Sequence, residues 1–129
     1  FDATGSSTYL PHNYKNTNCV VYTGTHDNDT VRGWFERLSG ADLQFTTEYV
    51  NVSKTESAHV NWDFIRLALS SIADLAIIPV QDYLGLDSSA RINEPGTVGT
   101  NWKWRMLDGE LTKEIAQKSR RMARLYGRY

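Results

Sequence analysis

Short apolar runs separated by polar stretches set the pattern of this chain. Cys19-Val20-Val21-Tyr22 is β-branched and aromatic, follows the turn-forming Asn16-Thr17-Asn18, and predicts a buried strand. Thr23 to Asn28 is polar. Asp29 or Thr30 is placed to cap a helix that runs through Leu38 and stops at Gly40. Residues 41–58 are mixed and polar and predict helix only in part. From Asn61 the period turns helical: Ile65, Leu69 and Ile72 fall at i, i+4, i+7, and Phe64, Ala68 and Leu75 widen the stripe.

Leu75-Ala76-Ile77-Ile78-Pro79-Val80 predicts a second strand. It has no polar alternation, as expected of a parallel strand covered on both faces. Pro79 lacks a donor and belongs near the strand's end. A long loop follows from Gln81 to Leu107, marked by Gly85, Asp87-Ser88-Ser89, Pro95-Gly96 and Gly99. The last helix is expected from about Glu110 to Tyr126, with Ile115, Met122 and Leu125 on one face and Gly127 at its end. The order strand, helix, helix, strand, loop, helix predicts a parallel α/β architecture without an internal boundary. Two strands cannot make a stable sheet alone, so the unit is expected to need neighbours.

Composition changes this picture little. With 40% hydrophobic and 22% charged residues, the 129-residue chain sits near the globular average. Its longest apolar run is far short of the roughly 20 residues that span a bilayer. No signal peptide is visible at Phe1. A net charge of −1 gives no overall pull toward nucleic acid or an anionic membrane. The basic residues gathered between Lys103 and Arg128 are read as complementing the dipole of a terminal helix. Cys19 stands alone, so no disulfide is expected, and a buried inert thiol is the favoured reading.

In a parallel α/β unit, ligands gather where strands end and the following loops begin. Two polar clusters occupy those places: Thr23 to Thr30, and Gln81-Asp82 continuing into Asn93-Glu94-Pro95-Gly96-Thr97 and Asn101-Trp102-Lys103-Trp104-Arg105. Carboxylates, amides and indoles on one rim suit a polyhydroxylated ligand. Plainer readings stand beside this one. Asp29 is better read as a cap. The Asp27-Asn28-Asp29 triplet lacks the glycine and distal glutamate of a calcium loop. His12 and His59 are read as structural or exposed. Trp34, Trp62 and Trp104 go to packing, and Trp102 is assigned to neither reading.

Longer motifs carry more. Leu10-Pro11-His12-Asn13-Tyr14, Val20-Val21-Tyr22-Thr23-Gly24-Thr25-His26-Asp27-Asn28-Asp29-Thr30 and Gly33-Trp34 form one block. Ile78-Pro79-Val80-Gln81-Asp82, Leu84-Gly85-Leu86, Ala90-Arg91-Ile92-Asn93 and Asn101-Trp102-Lys103-Trp104-Arg105 form another. Together they resemble the carboxy-terminal end of the amylomaltases, or disproportionating enzymes, 4-α-glucanotransferases related to the α-amylases. Residues 35–60 and 106–129 match only in general character.

The resemblance implies that residues 1–129 are the carboxy-terminal part of one (β/α)8 TIM barrel, an incomplete barrel holding its seventh and eighth strands. It implies transfer of α-1,4-glucan segments with retention, on two carboxylates expected before Phe1. Asp27 would be the third carboxylate, stabilising the transition state. His26, Asn101 and Asp2 would bind sugar, with Gln81 and Asp82 supporting the site from behind. No cofactor and no metal are implied. The expected partners are an α-1,4-glucan or maltooligosaccharide and the rest of the barrel, in a bacterial cytoplasm or a plastid. A related hydrolase, a glucan-binding module and an inactive subunit are the competing readings.

Overall fold

The computed structural model describes residues 3–52 and 58–129, so Asp2 lies outside the described residues. Two three-residue strands, β1 (Val20–Tyr22) and β2 (Leu75–Ile77), pair in parallel with Val20 opposite Leu75 and Tyr22 opposite Ile77. Between them run α1 (Val31–Arg37), α2 (Gly40–Val50) and α3 (Val60–Ser70). After β2 come the short α4 (Val80–Leu84), a 3-10 turn at Ser88–Ala90, and α5 (Lys113–Leu125). The expected parallel pairing, with a helical crossover between the strands, is present.

Several boundaries differ from expectation, each for a local reason. The second strand stops at Ile77, because Pro79 takes φ −56° and becomes the residue preceding α4. A proline at a helix entrance gives up a donor that the helix would leave unpaired anyway. Val80 therefore opens a helix instead of closing a strand. Gly40 does not terminate α1; it turns the corner into α2 at φ +56°. The polar 41–58 stretch holds all but the first residue of the 11-residue α2, which is closed by Asn51 in the left-handed conformation. Thr30, not Asp29, caps α1, its hydroxyl accepting from Gly33 N at 3.1 Å. Cys19 precedes the strand and is only half-buried.

Helix α3 organises the interior. Val60 and Phe64 pack against Val31 and Phe35 of α1. Ala68 meets Val21 of β1 and Ala73. Ile65 and Leu69 meet Met122 of α5. Phe35 and Ile65 are completely buried, each contributing about 1.5–3 kcal/mol from area alone. Ile72 falls beyond the end of α3 and is half-exposed, and Leu125 faces outward on α5. Gly33 has a packing reason: a Cβ there would meet Ser88 N at 2.7 Å, too close for any real side chain. The 3-10 turn is thereby seated directly on α1.

Arg128 fastens the α3–β2 corner. Its Nε donates to Leu69 O at 2.7 Å, and Nη2 donates to Ser71 O at 2.9 Å and Ala73 O at 2.8 Å. A guanidinium at the negative end of a helix satisfies carbonyls that the helix itself leaves open.

The sheet is covered on one face. Val21 is buried at 4% exposure, whereas Val20, Tyr22, Leu75 and Ile77 on the other face are 41–52% exposed. The expectation of strands covered on both faces is thus met on the helix side only. Among the described residues these two strands pair only with each other, so each has one open edge.

Candidate functional site

The loop after β1 folds on its own polar side chains. Asn28 Oδ1 accepts from Thr25 N at 2.8 Å and from Thr25 Oγ1 at 2.9 Å. Asp29 Oδ1 accepts from Thr30 N at 2.8 Å, and its Oδ2 accepts from Ser88 Oγ at 2.8 Å and pairs with Arg37. Asn28 and Asp29 are therefore occupied with shaping the loop and anchoring it to the 3-10 turn. His26 and Asp27 are what the loop presents, with side chains 55% and 48% exposed.

Asp27 is oriented from the far side by the second polar cluster. Asn93 Nδ2 donates to Asp27 Oδ1 at 2.7 Å, and His26 Nε2 lies 3.3 Å from the same oxygen. The backbones are tied as well: Asn93 N donates to His26 O at 3.1 Å, and Arg91 Nη2 donates to Asp27 O at 2.8 Å. Trp102 brings its ring within 5.1 Å of the His26 ring. The arrangement is a half-open carboxylate beside an imidazole, an amide and an indole. It can accept hydrogen bonds from hydroxyls and place negative charge beside a developing cation.

Other expected site residues fall elsewhere. Asn101 directs its amide into its own loop, accepting from Glu94 N at 2.9 Å and donating to Thr97 O at 3.1 Å. It does not reach Asp27; Asn93, which the sequence offered only as part of a polar loop, is the amide that does. No sequence signal separates Asn93 from Asn101, since both follow turn-rich stretches of one loop. Gln81 and Asp82 are buried at 4% and 2% exposure, behind the rim. Gln81 Nε2 donates to Ala90 O at 3.3 Å.

Asp82 joins the two βα units. Its Oδ2 accepts from Thr23 Oγ1 at 2.6 Å and its Oδ1 from Val31 N at 2.9 Å, at the entrance to α1. Burial pushes its carboxyl above the ordinary value; the Thr23 hydroxyl and Val31 N–H oppose that shift, and nearby Asp29 adds to it. The native state thus holds a proton that the unfolded chain has already released, from the ordinary carboxylate range up to the raised value. In that window the Asp82 contribution to stability falls as pH rises. Asp82→Asn, which keeps an acceptor for Val31 N and a partner for Thr23, is expected to gain on the parent as pH increases through the window. Unfolding curves of both proteins at a series of pH values measure this; a constant difference would mean that Asp82 titrates as it does when unfolded.

A groove of about 580 Å³ opens between β1, α1 and α3, on the helix side of the same loop. Tyr14, Val21, Trp34 and Phe64 give it largely apolar walls, and neither His26 nor Asp27 lines it. The described residues contain no helix long and apolar enough to cross a membrane.

Parallel strands joined by helices, with polar side chains gathered beyond the strand ends, define a segment of a parallel α/β fold, whose ligands usually lie on that rim. Comparison with known proteins narrows that class. The chain belongs to the 4-alpha-glucanotransferase family, whose profile matches residues 1–112. It is 49% identical to the 4-alpha-glucanotransferase of Clostridium butyricum, over 99% of this chain and 26% of that protein. It is 40% identical to the chloroplastic/amyloplastic 4-alpha-glucanotransferase of Arabidopsis thaliana, over 99% of this chain and 22% of that protein. The fold superposes on an amylomaltase from Streptococcus agalactiae, solved in complex with acarbose, with a TM-score of 0.90 and 33% identity, over 99% of this chain and 25% of that one. The chain therefore spans about a quarter of the length of the relatives it matches.

Proposed function

We propose that this chain is the carboxy-terminal segment of a 4-α-glucanotransferase, contributing the seventh and eighth strands of a single (β/α)8 catalytic domain. The enzyme moves α-1,4-linked glucan segments between maltooligosaccharides by a retaining double displacement. A nucleophilic carboxylate in the preceding sequence attacks the anomeric carbon while an acid/base carboxylate protonates the departing oxygen. An acceptor sugar then displaces the enzyme. Asp27 holds hydroxyls of the donor sugar and favours its cationic transition state, and His26 binds the same sugar. Asn101, whose amide also braces its own loop, and Asp2 make further sugar contacts, with Gln81 and Asp82 as the buried support. Carboxylates suffice for this chemistry, so no cofactor enters. The site belongs in a bacterial cytoplasm or a plastid.

The observation that carries this reading is the Asp27 carboxylate: half-exposed beyond a parallel strand, turned by Asn93, and beside His26. The test is incubation of the full-length enzyme that carries this segment with maltotriose. Glucose together with chains longer than maltotriose is the expected outcome. Glucose and maltose alone, without longer chains, would mean that water is the acceptor and that the protein is a hydrolase.

A further inference from the structure

The indole of Trp102 lies against the imidazole of His26, ring centroids 5.1 Å apart and planes 38° from each other. It reaches that position on an unusual backbone. Trp102 has φ +64°, in the left-handed region where a Cβ crowds the chain and a bulky aromatic is seldom found. Two sets of bonds enforce the turn. Trp102 N donates to Ile92 O at 2.7 Å, and the adjoining Asn101 cross-links Glu94 and Thr97 through its amide. Backbone strain of this kind persists only where the surroundings over-determine it. Burial does not account for it, because Trp102 is 57% exposed. What the turn accomplishes is the placement of one ring against another.

We infer that Trp102 is a positioning residue for His26. The strained turn holds the indole on one side of the imidazole, which keeps Nε2 directed at Asp27 Oδ1 while the rest of the ring stays open to a ligand. Asn93 fixes Asp27 from the same loop, so residues 92–102 hold both members of the pair. The inference rests on the proposed role of His26 and Asp27. It assigns Trp102 an effect on rate rather than on sugar affinity.

The experiment compares Trp102→Gly and Trp102→Phe with the parent in the full-length enzyme. Glycine adopts φ +64° without a Cβ clash, so Trp102→Gly is expected to unfold at the same temperature as the parent or higher. Its kcat for maltotriose transfer should fall about tenfold to a hundredfold, the scale of a misplaced reacting group. Its KM should stay within about twofold, since no shared binding contact is removed. The His26 ring-proton resonances, which an indole 5.1 Å away is expected to displace in the parent, should move toward those of a free imidazole. Trp102→Phe should restore most of the rate. An unchanged kcat, an increased KM at constant kcat, or unmoved His26 resonances in Trp102→Gly would each overturn the inference. The increased KM would identify the indole as a sugar-binding surface instead. A parent enzyme without transfer activity would defeat the proposed function, while the His26 resonances would still report whether Trp102 governs the imidazole.

Discussion

Asp27→Asn in the full-length enzyme is expected to lower the transfer rate by about 10²–10³-fold, the range seen when one preorganised electrostatic contact to a transition state is lost. The substitution changes charge with little change of shape. Its amide oxygen can still accept from Asn93 Nδ2, the contact that orients Asp27 at 2.7 Å. What disappears is the negative charge that the half-exposed carboxylate would set against the developing oxocarbenium ion. Stability should change by less than about 0.5 kcal/mol, as for most substitutions at exposed positions. Steady-state transfer assays on maltotriose, with thermal unfolding of the same preparations, measure both quantities. A rate near that of the parent would reduce Asp27 to a loop residue and remove the carboxylate from the proposed mechanism.

The isolated 129-residue chain is expected to show no transfer activity and only marginal stability. Nucleophile and acid/base are both assigned to preceding sequence, so the proposed covalent step has no donor carboxylate here. Stability suffers for a different reason. Val20, Tyr22, Leu75 and Ile77 leave an apolar sheet face open, and each strand has an unpaired edge among the described residues. Each such side chain forgoes up to about 1.5–3 kcal/mol of burial, against the roughly 5–15 kcal/mol that a whole domain typically possesses. Purified chain should therefore unfold over a broad range and bind a dye that reports exposed apolar surface. A sharp two-state transition at an ordinary midpoint, from a monomer that binds no dye, would establish these residues as an independent domain and end the segment reading.

The strand pairing and the crossover were legible because they depend on clear alternations of residue type. Val20-Val21-Tyr22 follows a turn signal, and Phe64, Ile65, Ala68 and Leu69 repeat at the helical period and are all buried. The sequence is ambiguous where one residue type serves two local structures. Pro79 ends a strand or starts a helix equally well; only the geometry of the next five residues decides, and α4 results. Asp29 and Thr30 are both good caps, and Asp29 was recruited by Ser88 and Arg37, distant partners that no local pattern announces. In the site, His26 and Asp27 stood out because they follow a strand within a long motif. Asn93 did not, since its bond to Asp27 spans 66 residues and depends on how the chain from Gly85 to Leu107 closes. The conformation of Trp102 was equally illegible: a positive φ at a non-glycine residue leaves no mark in composition or period.

The three carbonyls gripped by Arg128 precede it by 59, 57 and 55 residues. At synthesis rates of 5–20 residues per second, that separation corresponds to roughly 3–12 s of translation. Once Ile77 completes β2, and until Arg128 follows 51 residues later, the corner leading from α3 into β2 lacks its guanidinium. Ser71 N donates to Ala68 O at 3.2 Å and Asp74 N to Thr17 O at 2.7 Å, so the corner has local bonds of its own. The three guanidinium bonds are added only when Arg128 emerges. Nascent chains arrested with Arg128 still inside the ribosome and with Arg128 well clear of it should therefore differ in protease resistance at Leu69 to Ala73.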